Sequence, residues 1–171
     1  MVRVSLIFAS LFVVFTASSQ SQTTQDFHKK YEDAFVLFFY NNTLKMLNQT
    51  DNKEFDELVK DIEKMKFLMI NKKEKNFGPS DFKKLVTSYK SETYEPIMTS
   101  RFEGKNFDVY LKEMEGITKG TVILVNDSTN LYVLDILGRV PLNKVSSLYK
   151  TLDETEISKR VKQITGHRSK D

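Results

Sequence analysis

Between Ile97 and Leu137 the apolar residues fall into short runs separated by turn residues, and this stretch limits the fold more than any other. Phe107, Val109 and Leu111 alternate with Asp108, Tyr110 and Lys112, the period of a strand with one wet face. Ile97 to Phe102 is a strand before it, across the turn Glu103-Gly104-Lys105-Asn106. Gly116 to Gly120 turns the chain again. Thr121 to Asn126 and Leu131 to Leu137 are the last strands, joined by the loop Asp127-Ser128-Thr129-Asn130. Strands with such short connections pair as neighbours, so the spacing predicts a C-terminal four-strand antiparallel meander.

Upstream the period is mostly helical. Phe55, Leu58, Val59, Ile62 and Met65 follow the spacing of one helix face, with Asp51 or Asn52 as cap. Acidic residues come early in it and lysines late, as the helix dipole favours. Phe67-Leu68-Met69-Ile70 reads as a central strand covered on both faces. Gly78-Pro79-Ser80-Asp81 opens a helix with Phe82, Leu85, Val86 and Tyr89 inward and Ser80 as its cap. Phe27, Tyr31 and Phe35 indicate a short amphipathic helix after a polar, disordered stretch at 20–26. Phe35 to Tyr40 reads as a buried strand, or alternatively as the end of one long helix. Thr43 to Asn48 forms a helical turn with Leu44 and Leu47 inward. Leu142, Val145, Leu148, Tyr149 and Leu152 make a late helix face, and 153–165 continue as a second helix. The expected class is α+β, with helices packed on a mainly antiparallel sheet.

The first residues have a different purpose. Arg3 precedes an apolar run from Val4 to Phe15, and Thr16 to Ser21 are small or polar. That order is a secretory signal peptide, and its core is too short to span the ~30 Å hydrocarbon of a bilayer. Ala17 and Ser19 fit the small positions before a cut, so cleavage is expected after Ser19. The organisation expected is a signal peptide at 1–19, one α+β domain at 20–152 and a helical or charged tail at 153–171. The mature chain is then soluble in the periplasm or secreted, with no transmembrane span.

Composition excludes more than it assigns. The chain has no cysteine, which rules out disulfides, thiolate metal sites, a cysteine nucleophile and a lipidated amino-terminal cysteine. An exported chain without cysteine fits a bacterial envelope. The sequons at Asn41, Asn48 and Asn126 are what a chain rich in Asn, Ser and Thr contains by chance. The formal net charge of +3 is spread evenly, so no field gathers nucleic acid or an acidic membrane. The basic residues Lys159, Arg160, Lys162, Arg168 and Lys170 lie among acidic ones and read as a solvated face.

No convergent reactive set emerges. His28 and His167 lie in opposite terminal segments, without partners at helical spacing. Ser80 and Lys83 have the Ser-x-x-Lys spacing of a hydrolase pair, on a match only two residues long. Glu113 and Glu115 share a strand face beside a turn and read as a solvated rim. Asp135 stands apart, because it shares strand parity with Leu131, Val133 and Leu137. Alternation buries it, and a buried carboxylate needs a partner or a raised pKa; otherwise this face is wet there, or a lysine pairs with it. Phe38-Phe39-Tyr40 is either core or the lining of a ligand pocket or a partner site. No catalytic, cofactor-binding or metal-ligating residue is assigned, and no cofactor is expected.

Three stretches carry a resemblance. They are Glu54 to Val59 leading into Lys66 to Ile70, Tyr94 to Met98 before Phe107 to Glu113, and Thr121 to Asn126 through Leu131 to Gly138 and the helix from Leu142. In this order the chain resembles an exported Bacteroidota family, domain of unknown function 4252. The resemblance implies a small periplasmic or secreted domain, in some members a lipoprotein. It implies no activity, cofactor or catalytic residue, so no functional residue carries over. Association with envelope-stress and sigma/anti-sigma gene neighbourhoods implies a regulatory or sensing role. The chain lacks the lipid-acceptor cysteine of some members, and its extension past residue 150 is its own. The function expected first is a non-catalytic binding or interaction domain, with an unknown protein or small ligand of the cell envelope as partner. A hydrolase with a dispersed Ser, Lys and carboxylate site, and a passive structural component, are the alternatives.

Overall fold

Six strands form one open antiparallel sheet in the order β1-β2-β6-β5-β4-β3, and this computed structural model describes residues 20–46, 48 and 53–152. The elements are α1 (Gln22–Lys30), β1 (Phe35–Tyr40), α2 (Asn41–Met46), α3 (Lys53–Val59), β2 (Ile62–Asn71), α4 (Pro79–Ser91), β3 (Glu95–Phe102), β4 (Lys105–Met114), β5 (Ile117–Asn126), β6 (Asn130–Gly138) and α5 (Val145–Leu152). Strands β3 to β6 are the expected meander, and β6 closes against β2 with Phe67 opposite Leu134 and Leu68 opposite Val133. The fold is α+β, as the pattern predicts. The Asp51 or Asn52 cap, Leu47, the 153–165 helix and the leader lie outside the described residues.

Both faces of the sheet are covered. On one, Met65, Phe67, Ile123, Val125, Leu134 and Ile136 meet Leu44, Leu58, Val145 and Leu148 from α2, α3 and α5. On the other, Leu68, Ile70, Val122, Leu124 and Val133 meet Phe27 of α1 and Leu85 and Tyr89 of α4. Double cover explains why β5 and β6 read as continuous apolar runs. It also overturns the wet face expected for β4: Tyr110 is buried and stacks on Tyr89 at 6.4 Å.

Several local expectations change. The helix expected to reach Met65 ends at Val59, and Ile62 and Met65 belong to β2. A bulge between Ile62 and Lys64 shifts strand parity, so residues three apart share one face and mimic helical spacing. Residues 20–26 are ordered: Ser21 caps α1, its hydroxyl accepting from the Thr24 amide at 3.3 Å, and Thr23 and Thr24 are buried. Phe35 to Tyr40 is a strand, but on the sheet edge, with Phe38 and Tyr40 exposed. Ser80 does not cap α4; the Gly78 amide donates to Asp81 Oδ2 at 3.1 Å. The β4–β5 turn is tighter than Gly116 to Gly120. Glu115 and Gly116 make it at φ 54° and 73°, the two-residue hairpin form that matches sheet twist.

Gly138 ends β6 at φ 118°, where a Cβ would sit 2.1 Å from the Asp61 carbonyl oxygen. Substitution therefore forces both backbone strain and displacement of the β2 start. Gly138→Ala is expected to cost at least about 1–3 kcal/mol in urea unfolding. An unchanged midpoint would contradict this packing.

Candidate functional site

One lateral row of the sheet runs Phe38, Lys66, Asp135, Val122, Tyr110 across β1, β2, β6, β5 and β4. It puts an amine and a carboxylate at the middle of an otherwise apolar face. Asp135 is fully buried, so neither a wet face nor an exposed pair accounts for it. Lys66 is its register partner, also buried along its stem. The Lys66 ammonium lies 5.3 Å from the centroid of the Phe38 ring. A lysine thus neighbours Asp135 without capturing it.

The segment leading into α1 supplies the contacts that Lys66 does not. The Ser21 amide donates to Asp135 Oδ2 at 3.0 Å, and Gln20 Nε2 donates to the Asp135 carbonyl at 3.1 Å. Thr24 Oγ1 and the Tyr89 hydroxyl share a hydrogen bond of 2.8 Å beside them. Glu92, at the end of α4, binds the same segment. Its carboxylate accepts from the Ser21 hydroxyl at 3.0 Å, from the Gln22 amide at 3.0 Å and from the Thr23 amide. These amides open α1 and have no partners within the helix, so an anion belongs there. Thr93, at φ 66° just after Glu92, turns the chain so that Tyr94 packs against Tyr89 at 5.7 Å.

Charge in this centre is unbalanced toward acid. Burial pushes the Asp135 carboxyl from 3.8 up to about 6; Thr24 and the Ser21 amide hold it down, Glu92 raises it further and Lys66 lowers it. Burial, with the Asp135 charge, raises the Tyr89 phenol well above its ordinary value, so it stays neutral. Burial lowers the Lys66 amine, and Asp135 partly offsets this. Asp135 Oδ1 completes no hydrogen bond among the described residues.

The centre is roofed by the chain rather than open. A groove of about 210 Å³ between α1 and α4 is lined by Thr23, Phe27, Tyr31, Phe77 and Asp81, and a broader depression of about 790 Å³ by Asp61, Ile117, Gly138 and Arg139. Neither has Asp135 or Lys66 in its wall. Ser80 and Lys83 are both exposed on the first turn of α4. Glu113 stands exposed near the end of β4, and Glu115 sits in the turn rather than on the strand. His28 is half-buried on α1 with its ring 6.4 Å from Phe38, while His167 and the basic tail lie outside the described residues. Among the described residues no helix is long and apolar enough to cross a membrane.

Sequence reasoning singled out Asp135 and missed its surroundings. Lys66 carried a signal, because it shares parity with Leu68 and Ile70, but the sequence reading does not join it to Asp135. Ser21 followed by Thr24 ahead of Phe27 is a cap signal hidden in a polar run. Glu92 carried none, since it meets Ser21 only through the fold.

A family profile described as Domain of unknown function (DUF4252) matches residues 19–148. No curated protein and no solved structure matches the chain.

With residues upstream of Gln20 attached, Asp135 should make stability fall as pH rises. Its folded pKa exceeds the unfolded one, so its stabilising effect is complete below about pH 4 and is lost through about pH 6. Relative to Asp135→Asn, the wild type should lose on the order of 3 kcal/mol across that window in urea titrations. Parallel curves for the two proteins would contradict the burial argument.

Proposed function

The chain belongs to this family of domains of unknown function, DUF4252, and on that premise we propose that it is a non-catalytic binding domain of a Bacteroidota cell envelope. It is exported by the leader at 1–19, cut after Ser19 and released in soluble form to the periplasm or beyond. Its partner is a protein that presents an extended segment.

The observation that carries this reading is the outer edge of β1. The two sheet edges differ. β3 carries Glu95, Pro96 and Arg101 and a bulge between Pro96 and Met98, devices that discourage strand addition. β1 reads Phe-Val-Leu-Phe-Phe-Tyr with no charge, proline or bulge. Phe38 is 55% exposed and Tyr40 58%, and Lys66 and Lys64 lie 5.3 Å and 5.9 Å from their rings. An edge strand that pairs on one side only among the described residues offers backbone hydrogen bonds to an added strand, and alternate side chains give selectivity. The exposed Lys64 amine beside Tyr40 favours an acidic side chain on that strand. The ionisable groups in the middle of the sheet hold α1 in place and face no described groove, which favours binding over hydrolysis.

Capture from envelope extracts tests the proposal. Wild-type protein should retain a specific partner, and the Phe38→Asp, Tyr40→Asp double variant should lose it at least tenfold while keeping its circular dichroism spectrum and melting temperature. Equal capture by both proteins, or turnover of an ester or peptide that survives the double substitution, would refute it.

A further inference from the structure

Among the described residues no cation forms an ion pair with Asp135 or Glu92. Their two carboxylates converge on one stretch of chain, Gln20 to Thr23. The charged and titratable groups facing Asp135 are Glu92 from α4, Tyr89 and Tyr94, and Lys66 from β2. The phenols are neutral, and the Lys66 ammonium is turned to the Phe38 ring. Oδ1 of the fully buried Asp135 is left without a hydrogen bond among the described residues.

The backbone nitrogen of Gln20 is the neighbour in the chain of the amide that already reaches this carboxylate. The Ser21 amide is 3.0 Å from Asp135 Oδ2. Covalent geometry keeps the Gln20 nitrogen within about 3.7 Å of the Ser21 nitrogen, hence within about 7 Å of the carboxylate. Inside a longer chain that nitrogen is an uncharged amide with one N–H. At a chain start it is an ammonium with three N–H groups and a full charge, ordinarily held up to a pH of about 8.

We propose that Asp135 and Glu92 form a binding site for a primary ammonium, and that its occupant is the α-amino group of Gln20 released by cleavage of the Ser19–Gln20 bond. This rests on the export reading given above. The step is hydrolysis by a leader peptidase. Water adds across the amide, the Ser19 carboxylate leaves with the leader, and the Gln20 amine takes up a proton. Removal of the leader then supplies the counter-ion of the buried acid, so the domain reaches full stability only after processing. In the unprocessed chain the same acid stays uncompensated and α1 is held less firmly, a state suited to translocation.

The test compares a chain beginning at Gln20 with one that retains Ala17-Ser18-Ser19. Intact mass establishes that Gln20 has kept its free amine and has not cyclised. Nuclear magnetic resonance then follows the Asp135 carboxyl carbon and, in the shorter chain, the α-amino nitrogen against pH. The Asp135 pKa should be at least one unit lower in the shorter chain, and its α-amino pKa at least one unit above the ordinary value of about 8. Asp135→Asn should return the α-amino group to that value. If Asp135→Asn fails to fold, the two wild-type chains still decide the matter. The same Asp135 pKa in both would overturn the ammonium site and leave the export reading intact. Sequencing the exported protein tests that reading separately: a first residue other than Gln20 would overturn the proposed occupant.

Discussion

A carboxylate at the centre of a covered sheet face constrains much of this molecule. Asp135 lies between Lys66 of β2 and Val122 of β5, under α1 and α4. An unsatisfied charge there would cost several kcal/mol. The chain answers by bringing the segment from Gln20 to Thr23 across the sheet. Ser21 gives its amide to Asp135, and Glu92 holds the next amides, so α1 is tied to both β6 and α4. The position of α1 in turn buries Phe27 and Tyr31 against Phe77 and leaves Phe38 and Tyr40 uncovered at the β1 edge. A polar constraint at the middle of the sheet and an apolar opportunity at its rim are thus consequences of the same packing.

The meander was legible because its signal is local. β3 to β6 pair with their sequence neighbours, and period two with short turns specifies that arrangement. Parity alone also put Asp135 on the covered face, against the readings of a wet face or a pairing lysine, and the structure buries it. What escaped was non-local. Ile62 and Met65 imitate a helix because a bulge changes their parity, and a bulge leaves no mark in residue type. Tyr110 looked wet because its cover, Tyr89, comes from α4, which crosses from β2 to the far edge of the sheet. The polar stretch at 20–26 looked unstructured because its partners, Glu92 and Asp135, are distant in sequence.

The same separation explains why the functional reading falls at the rim. Reactive centres place shifted titratable groups at the wall of a cleft. Here Asp135 is shifted, yet its Oδ2 accepts from the amide of Ser21, which caps α1, and the Tyr89 phenol is kept neutral. Ser80 and Lys83, the pair with hydrolase spacing, stand in solvent on another part of α4. The two edges of the sheet, by contrast, differ in the features that decide whether a strand can be added, and the receptive one is also the aromatic one.

All of this requires that the segment from Gln20 to Thr23 fill the polar centre in solution. Amide hydrogen exchange measured at Ser21, Gln22 and Thr23 reads that directly. The account predicts protection approaching that of the β6 amides, because opening α1 exposes the buried acid and is as costly as disturbing the sheet. Exchange at the rate of an unstructured peptide would contradict it, and would leave Asp135 and Lys66 open to a ligand from outside.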